Sequence, residues 1–176
     1  MRTSLLLLAL LLSGCDGPLV TFTTQLKAQA SLDGCSLLTC ALNVFPQMVG
    51  FANLDFDSNQ DFQNNNAQKQ HVKTAKVTSF TLKISAPNDQ DYAFLDSLSF
   101  AVASDGTETQ LAYKDDIAGL GLKAPNPTLV LELPGEDIAH HIRADQVSFL
   151  SSGRGRQPAN DTTIEASVTL LVGVGF

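Results

Sequence analysis

The chain has 176 residues, and 11 lysines and arginines against 18 aspartates and glutamates give it a formal net charge of −7. This acidity argues against nucleic acid as a partner and against broad docking on anionic lipid headgroups, because both need a basic surface. Tryptophan is absent and tyrosine occurs only twice. A sugar-binding face built on stacked aromatic rings is therefore not favoured.

The first 15 residues carry a targeting pattern. Arg2 is followed by a leucine-rich run at residues 5–12, which is much shorter than the roughly 20 residues that a transmembrane helix needs. We therefore expect a signal peptide that is removed. Residues 12–15, LSGC, resemble the lipobox of bacterial lipoproteins. The alternative is an ordinary secretory signal that happens to contain a cysteine.

The lipobox resemblance implies where the protein is located and where its mature chain begins. Residues 1–14 would be the signal peptide, Cys15 the lipidated N-terminus, and residues 15–18 a short tether to one domain at 19–176. The three residues after Cys15 span at most about 11 Å, so the domain is expected to sit on a bacterial membrane. Asp16 is similar to the inner-membrane retention signal of enteric bacteria. The inner and the outer membrane are both possible locations, and the domain could face the periplasm or the cell surface.

Two cysteines remain once Cys15 is assigned to lipid. In an exported chain of net charge −8, left after Arg2 is removed, Cys35 and Cys40 predict a structural disulfide. The four residues between them are too many for the usual redox-active spacing, and nearby residues offer few further metal ligands. Free thiols or a metal site are the less favoured alternatives.

The first structural element is a strand between residues 20 and 32, where apolar and polar side chains alternate. One break is expected in so long a run. Residues 33–74 then read as an irregular, disulfide-containing insertion. Within the insertion, apolar residues at 36–45 have helical spacing that Pro46 would end. This helix covers one end of the core or, alternatively, touches lipid or a partner.

The insertion also holds the best candidate for a metal site. Oxygen ligands at alternate positions suit a loop that wraps around Ca²⁺, and here they are Asp55, Asp57, Asn59 and Asp61. The segment resembles the start of an EF-hand loop, but Gln60 and Asn66 stand where that loop needs glycine and a bidentate glutamate. A calcium site completed by other loops is one interpretation. A solvated polar loop is the favoured one.

Regular β-structure is predicted from residue 77 onward. Inward-facing apolar sets occur at residues 80–86, 98–102, 129–133 and 147–149, and Asp105-Gly106 predicts a two-residue type I′ hairpin turn. The clearest strand covers residues 162–176. This last strand is expected to pair with the first strand or to lie close to it.

Two further segments contain candidate site residues. Residues 136–143 predict one or two helical turns that carry His140 and His141, interpreted as surface histidines. Residues 151–161 predict a loop in which Arg154 and Arg156 could hold a phosphate or carboxylate. A solvated hairpin tip is the favoured interpretation of this loop.

These elements predict an all-β fold. About seven strands with short turns indicate an antiparallel β-sandwich, Ig-like or related, with one or two short helices in its connections. The immunoglobulin marks themselves are missing, because the chain has no tryptophan and no cysteine pair bridging distant strands.

The sequence contains none of the motifs typical of serine hydrolases, zinc proteases, phosphate-binding loops or reactive thiols. We expect a lipid-anchored, non-catalytic binding or assembly module of the cell envelope, with a protein partner, no nucleic acid and no cofactor other than calcium. The alternatives are a calcium- or polymer-binding β-sandwich and a hydrolase with an unrecognised acidic site. A carrier of hydrophobic ligands would require an apolar cavity between the sheets.

Overall fold

The computed structural model describes residues 20–36, 40, 48, 60–65 and 67–175. Within them the strands are β1 Val20–Leu32, β2 Val72–Ala86, β3 Leu95–Ser104, β4 Thr107–Lys114, β5 Thr128–Val130, β6 Ser148–Gly155 and β7 Thr162–Val174. Two short helices, α1 Gln60–Asn64 and α2 Ala139–Arg143, lie in the connections, together with 3₁₀ turns at Lys69–His71 and Ala118–Leu120. The predicted all-β fold of about seven strands is confirmed.

The strands form two sheets that pack face to face. The four-stranded sheet has the order β1-β7-β2-β5, and the three-stranded sheet has the order β4-β3-β6. Every pairing is antiparallel. Phe80 of β2 stacks on Phe100 of β3 with ring centroids 4.6 Å apart. Because these two rings come from different sheets, the apolar core lies between the sheets, as in a β-sandwich.

A single segment pairs first with the larger sheet and then with the edge strand β4 of the smaller sheet. β5 pairs with β2, and Glu132, two residues beyond β5, forms an isolated bridge with Tyr113 of β4. Residues 128–132 thus pass from the four-stranded sheet to the three-stranded sheet. A strand is present where residues 129–133 predict one, but it is shorter than expected, because the residues after Val130 pair with the other sheet.

The first and last strands pair along their full length. The register runs from Val20 opposite Val174 to Leu32 opposite Thr162 without a shift, so the expected pairing is confirmed and the expected break in β1 is wrong. Thr24 continues the inward-facing set and is only 1% exposed. A buried threonine, rather than an irregularity, occupies the position that interrupts the apolar pattern.

The hairpin between β3 and β4 has the predicted turn. Asp105 and Gly106 have φ values of 49° and 76°, and a type I′ turn requires positive φ at both central residues. The loop predicted from residue 151, in contrast, is wrong over its first half. β6 continues to Gly155 because its backbone pairs with β3 as far as Leu95.

The described parts of the insertion touch three places on the sandwich. The Cys35 N–H donates to the Pro158 carbonyl at 2.8 Å, and the Met48 N–H donates to Ser151 Oγ of β6 at 3.3 Å. Phe62 of α1 packs edge to face on Phe22 of β1, with centroids 5.2 Å apart. These segments therefore approach the loop after β6, β6 itself and β1. The helix predicted at residues 36–45 lies outside the described residues, apart from Ser36 and Cys40.

Candidate functional site

The end of the sandwich where the chain enters is defined by Val20. Val20 lies opposite Val174, and Val174 also pairs with Val72 at the start of β2. Arg143 of α2 closes this end by donating from Nη1 to the Val72 carbonyl at 2.6 Å. Cys15 lies outside the described residues, so its lipidation stays a prediction. No helix in the described part of the chain is both long and apolar enough to cross a membrane.

The disulfide lies at the opposite end of β1. Cys35 and Cys40 are bonded, with their Cα atoms 4.9 Å apart, as the cysteine count predicts. The Gly34 N–H donates to Asp161 Oδ1 at 2.8 Å. Together with the contact from Cys35 to Pro158, this bond ties the start of the insertion to the loop before β7.

The calcium hypothesis gains no support from the described residues. Asp55, Asp57 and Asn59 lie outside them. Asp61 lies in the first turn of α1, where its backbone carbonyl accepts bonds from the Asn65 N–H and the Asn65 side-chain amide. Where the structure is described, no three His, Cys, Asp or Glu side chains come close enough to hold a metal ion. Calcium binding stays a prediction.

Arg154 and Arg156 flank a distorted point in the three-stranded sheet. Arg154 lies in β6 opposite Ser97, and both arginines are exposed. Gly155 between them has φ +145°, and the Arg156 N–H donates to the Phe94 carbonyl at 2.8 Å. The arginines therefore belong to a strand end rather than to a free loop. Anion binding by the pair stays a prediction.

His141 departs from its predicted exposure. The residue is 0% exposed, its Nδ1 lies 2.7 Å from Ser104 Oγ, and its Nε2 lies 2.9 Å from Thr109 Oγ1. Burial lowers the pKa of His141, the neighbouring His140 lowers it further, and Asp105 opposes both effects. Both histidines are predicted to be exposed, but only His140 is exposed in the structure. The spacing was informative, because His141 lies three residues after the buried Ile138 and next to the buried Ile142.

The Ser104 and His141 pair resembles a nucleophile beside its base, but its surroundings differ from a catalytic site. Ser104 is only 6% exposed, so a substrate has little access to its hydroxyl. The second imidazole nitrogen faces a threonine hydroxyl, whereas a catalytic histidine is usually oriented by a carboxylate that stabilises the imidazolium. We interpret this hydrogen-bonded chain as a clamp between α2 and the β3–β4 hairpin.

Tyr92 is a second buried polar residue that the sequence did not single out. Its side chain is 1% exposed, and its hydroxyl has no hydrogen-bond partner in the structure as described. Burial raises the pKa of this phenol. The ring stacks on Phe94 with centroids 6.4 Å apart, so Tyr92 fills the core as an aromatic ring and leaves its hydroxyl unsatisfied.

Tyr92→Phe is therefore expected to leave the free energy of unfolding unchanged or to raise it by up to about 1 kcal/mol, because a buried hydroxyl without a partner costs stability. Urea unfolding of both forms measures the difference. Tyr113→Phe is the matched control, since the Tyr113 hydroxyl bonds to Glu132, and it should give a small loss. A loss above about 1 kcal/mol in Tyr92→Phe would contradict the assignment.

The interior offers little room for a ligand. A cavity of about 20 Å³ lies between the sheets, and its lining is apolar, with Phe80, Phe100 and Phe149 among its side chains. Sites for small molecules typically enclose roughly 300–1,000 Å³. The cavity is close to the volume of a single water molecule, so the structure does not support a carrier of hydrophobic ligands.

The outer face of the four-stranded sheet carries an open polar concavity of about 660 Å³. Side chains of β7 form its floor, with Glu165 and Ser167 on the outward-facing positions. Lys27 lies opposite Ser167 on one side, and Lys83 lies opposite Glu165 on the other. The Gln25 side chain donates from Nε2 to Ser167 Oγ at 2.9 Å. We call this feature the outer-face groove.

No protein-family model matches the chain. No curated protein gives a significant match either.

Proposed function

We propose that the protein is a lipid-anchored, non-catalytic binding or assembly module of the bacterial cell envelope. The observation that carries this proposal is the direct entry of the chain into the sheet. β1 begins five residues after Cys15 and then pairs with β7 over 13 residues. A lipid on Cys15 would therefore hold one end of a rigid sandwich at the membrane surface, with no long linker in between.

The described surroundings favour binding over catalysis. Ser104 beside the buried His141 is only 6% exposed, and the cavity that the described residues enclose between the sheets is too small for a ligand. The exposed features are sheet surfaces and loop ends, which are the parts of a sandwich that usually contact partners.

Cys15→Ala, made with a cleavable secretory signal peptide in place of residues 1–14, is expected to abolish lipidation and to release essentially all of the protein from the membrane. Several acyl chains at about 0.8 kcal/mol per buried methylene hold a protein without measurable release, and the variant has none of them. Mass spectrometry of the N-terminal peptide and membrane fractionation measure the two effects. Crosslinking of the anchored protein in its host should recover one defined envelope complex that the variant loses.

The double variant Cys35→Ala, Cys40→Ala is the matched control. It removes the disulfide and leaves Cys15 in place, so it should still fractionate with the membrane. If the Cys15→Ala protein stays on the membrane with the same crosslinked complex, the anchored role is wrong. A reproducible failure to crosslink any protein in the anchored form would argue against an assembly role.

A second candidate function is binding of an envelope polymer. The outer-face groove favours it, because an open surface that spans three strands and carries several amide, hydroxyl and ammonium groups suits a polar polymer. Binding of calcium, the other alternative, has only Asp61 among its candidate ligands in the described residues.

A further inference from the structure

The charge of this acidic protein is strongly segregated. The four strands of the larger sheet contain four lysines, Lys27, Lys73, Lys76 and Lys83, but only one acid, Glu165. This sheet therefore carries a net charge of +3 within a chain whose net charge is −7. The acids are concentrated in the loops, because the strands of the smaller sheet hold two acids, Asp96 and Glu108, against two bases, Lys114 and Arg154. An anionic partner would be repelled by most of the surface and attracted to this face.

Strand pairing assembles the basic groups around the outer-face groove. Lys27 on β1 and Lys83 on β2 flank β7 from opposite sides, at rows two residues apart along β7. Their backbones are separated by two strand spacings, or about 10 Å. Both lysines are exposed, as are Gln25 and Gln29 on the β1 side. A ligand in the groove would lie along β7 with an ammonium group on each side.

The other polar groups of the groove suit hydroxyl-rich ligands. Ser167, Thr81 and Thr128 supply hydroxyls, and Gln25 and Gln29 supply amides, all of which both donate and accept hydrogen bonds. Sugar hydroxyls need this dual capacity. The groove has no aromatic residue among its lining side chains, so recognition would depend on charge and hydrogen bonds rather than on ring stacking.

We propose that the outer-face groove binds an acidic polysaccharide, with Lys27 and Lys83 pairing with carboxylates on the sugar chain and the hydroxyl and amide groups contacting its hydroxyls. Glu165, next to Lys83, weakens the attraction and limits binding to ligands of sufficient charge. This inference names the partner of the second candidate function above. It draws on the proposed membrane anchor only for the location of the partner.

A bilayer and a protein both fit the groove less well. Lys27 lies seven residues along β1 from Val20, or about 23 Å from the end of the sandwich nearest the anchor, so a sandwich standing on that end holds the groove away from the headgroups. Protein interfaces usually centre on buried aromatic or arginine anchors, and the lining of the groove has neither.

The test uses the full-length lipidated protein in vesicles of phosphatidylcholine, which carry no net charge. The probe is polygalacturonate oligosaccharide, and its fully methyl-esterified form is the neutral counterpart. We expect the acidic probe to bind at low salt, the ester to bind at least about tenfold more weakly, and affinity to fall as salt rises.

Charge variants locate the binding surface. Lys27→Gln with Lys83→Gln should weaken binding about fivefold to tenfold, and Glu165→Gln should strengthen it about twofold to fivefold, as expected for exposed charge pairs. Lys123→Gln, which removes one positive charge in the loop between β4 and β5, away from the groove, should leave binding unchanged. Because all four residues are exposed, thermal unfolding should show little change in any variant.

Three results would overturn the proposal. They are equal binding of the acidic and the esterified probe, equal loss in the groove-lysine and Lys123 variants, and preferential binding to phosphatidylglycerol vesicles over polygalacturonate. The last result would assign the basic face to the bilayer. All three compare probes or variants of the same lipidated protein, whereas membrane fractionation of Cys15→Ala tests the anchor itself, so a failure here is distinguishable from a failure of the anchored role.

Discussion

Gly155→Ala is expected to lower the free energy of unfolding by about 3 kcal/mol. Gly155 has φ +145°, in the region that favours glycine. A Cβ atom built there would collide with the Phe94 carbonyl oxygen and come within 3.0 Å of Leu95 Cα. Both neighbours are backbone atoms at the start of β3, so neither can rotate away. Urea unfolding of the two proteins measures the loss.

Gly106→Ala is the matched control for this prediction. Gly106 also has a positive φ, of 76°, but no atom lies within 4 Å of the added Cβ. The variant should therefore show only the cost of the left-handed backbone, about 1 kcal/mol. Equal losses in the two variants would show that close approach to Phe94 contributes nothing. A Gly155→Ala protein as stable as the parent would contradict the geometry of this strand end.

His141→Gln is expected to lower the free energy of unfolding by about 2 kcal/mol at pH 8. The imidazole fills a buried site and bonds to both Ser104 and Thr109. A glutamine amide has a different shape and cannot easily reach both hydroxyls, so at least one buried polar group loses its partner. Urea unfolding at pH 8 measures this loss.

The same variant should also change the pH dependence of stability. Burial lowers the pKa of His141 below its ordinary value of 6.5, so the unfolded chain binds this proton more readily than the folded protein. The parent protein should therefore lose stability as the pH falls from about 6.5 to the lower pKa of the folded state, by at most about 1.4 kcal/mol per pH unit. Above this range the contribution of His141 is complete.

His140→Gln is the control for that profile, because His140 is exposed and its ring lies 3.7 Å from that of His141. The slope of stability against pH should flatten in His141→Gln and persist in His140→Gln. Asp105 and His140 are the charged or titratable groups that influence His141 most. An unchanged slope in His141→Gln would show that His141 does not set the acid sensitivity.

Much of the fold was predictable because local signals agreed with the tertiary structure. Alternation predicted β7, and Asp105-Gly106 predicted the hairpin turn that follows β3. The second half of β6 was missed because serine, glycine and arginine have weak strand preference. Pairing with β3 overrides that preference. The burial of Thr24 was not predictable because it depends on core neighbours that are distant in the sequence.

The candidate site was less predictable than the fold. The alternation placed Lys27 and Lys83 on outward positions, but not on the same surface. Their approach depends on β7 lying between β1 and β2, a strand order that local sequence patterns do not encode. Net charge was misleading for the same reason, since it averages a basic sheet with acidic loops. The position of the outer-face groove therefore depends on strand order more than on any local sequence motif.

The strand order also has a kinetic consequence. β7 is an inner strand of the larger sheet, yet it follows the six other described strands in the chain, and Gln25 must wait for a hydrogen-bond partner 142 residues further along. Contacts so distant in sequence make folding slow. Until β7 arrives, β1 and β2 both present unpaired edges to their surroundings. The edge of β1 therefore stays open to pairing with other chains until β7 folds against it.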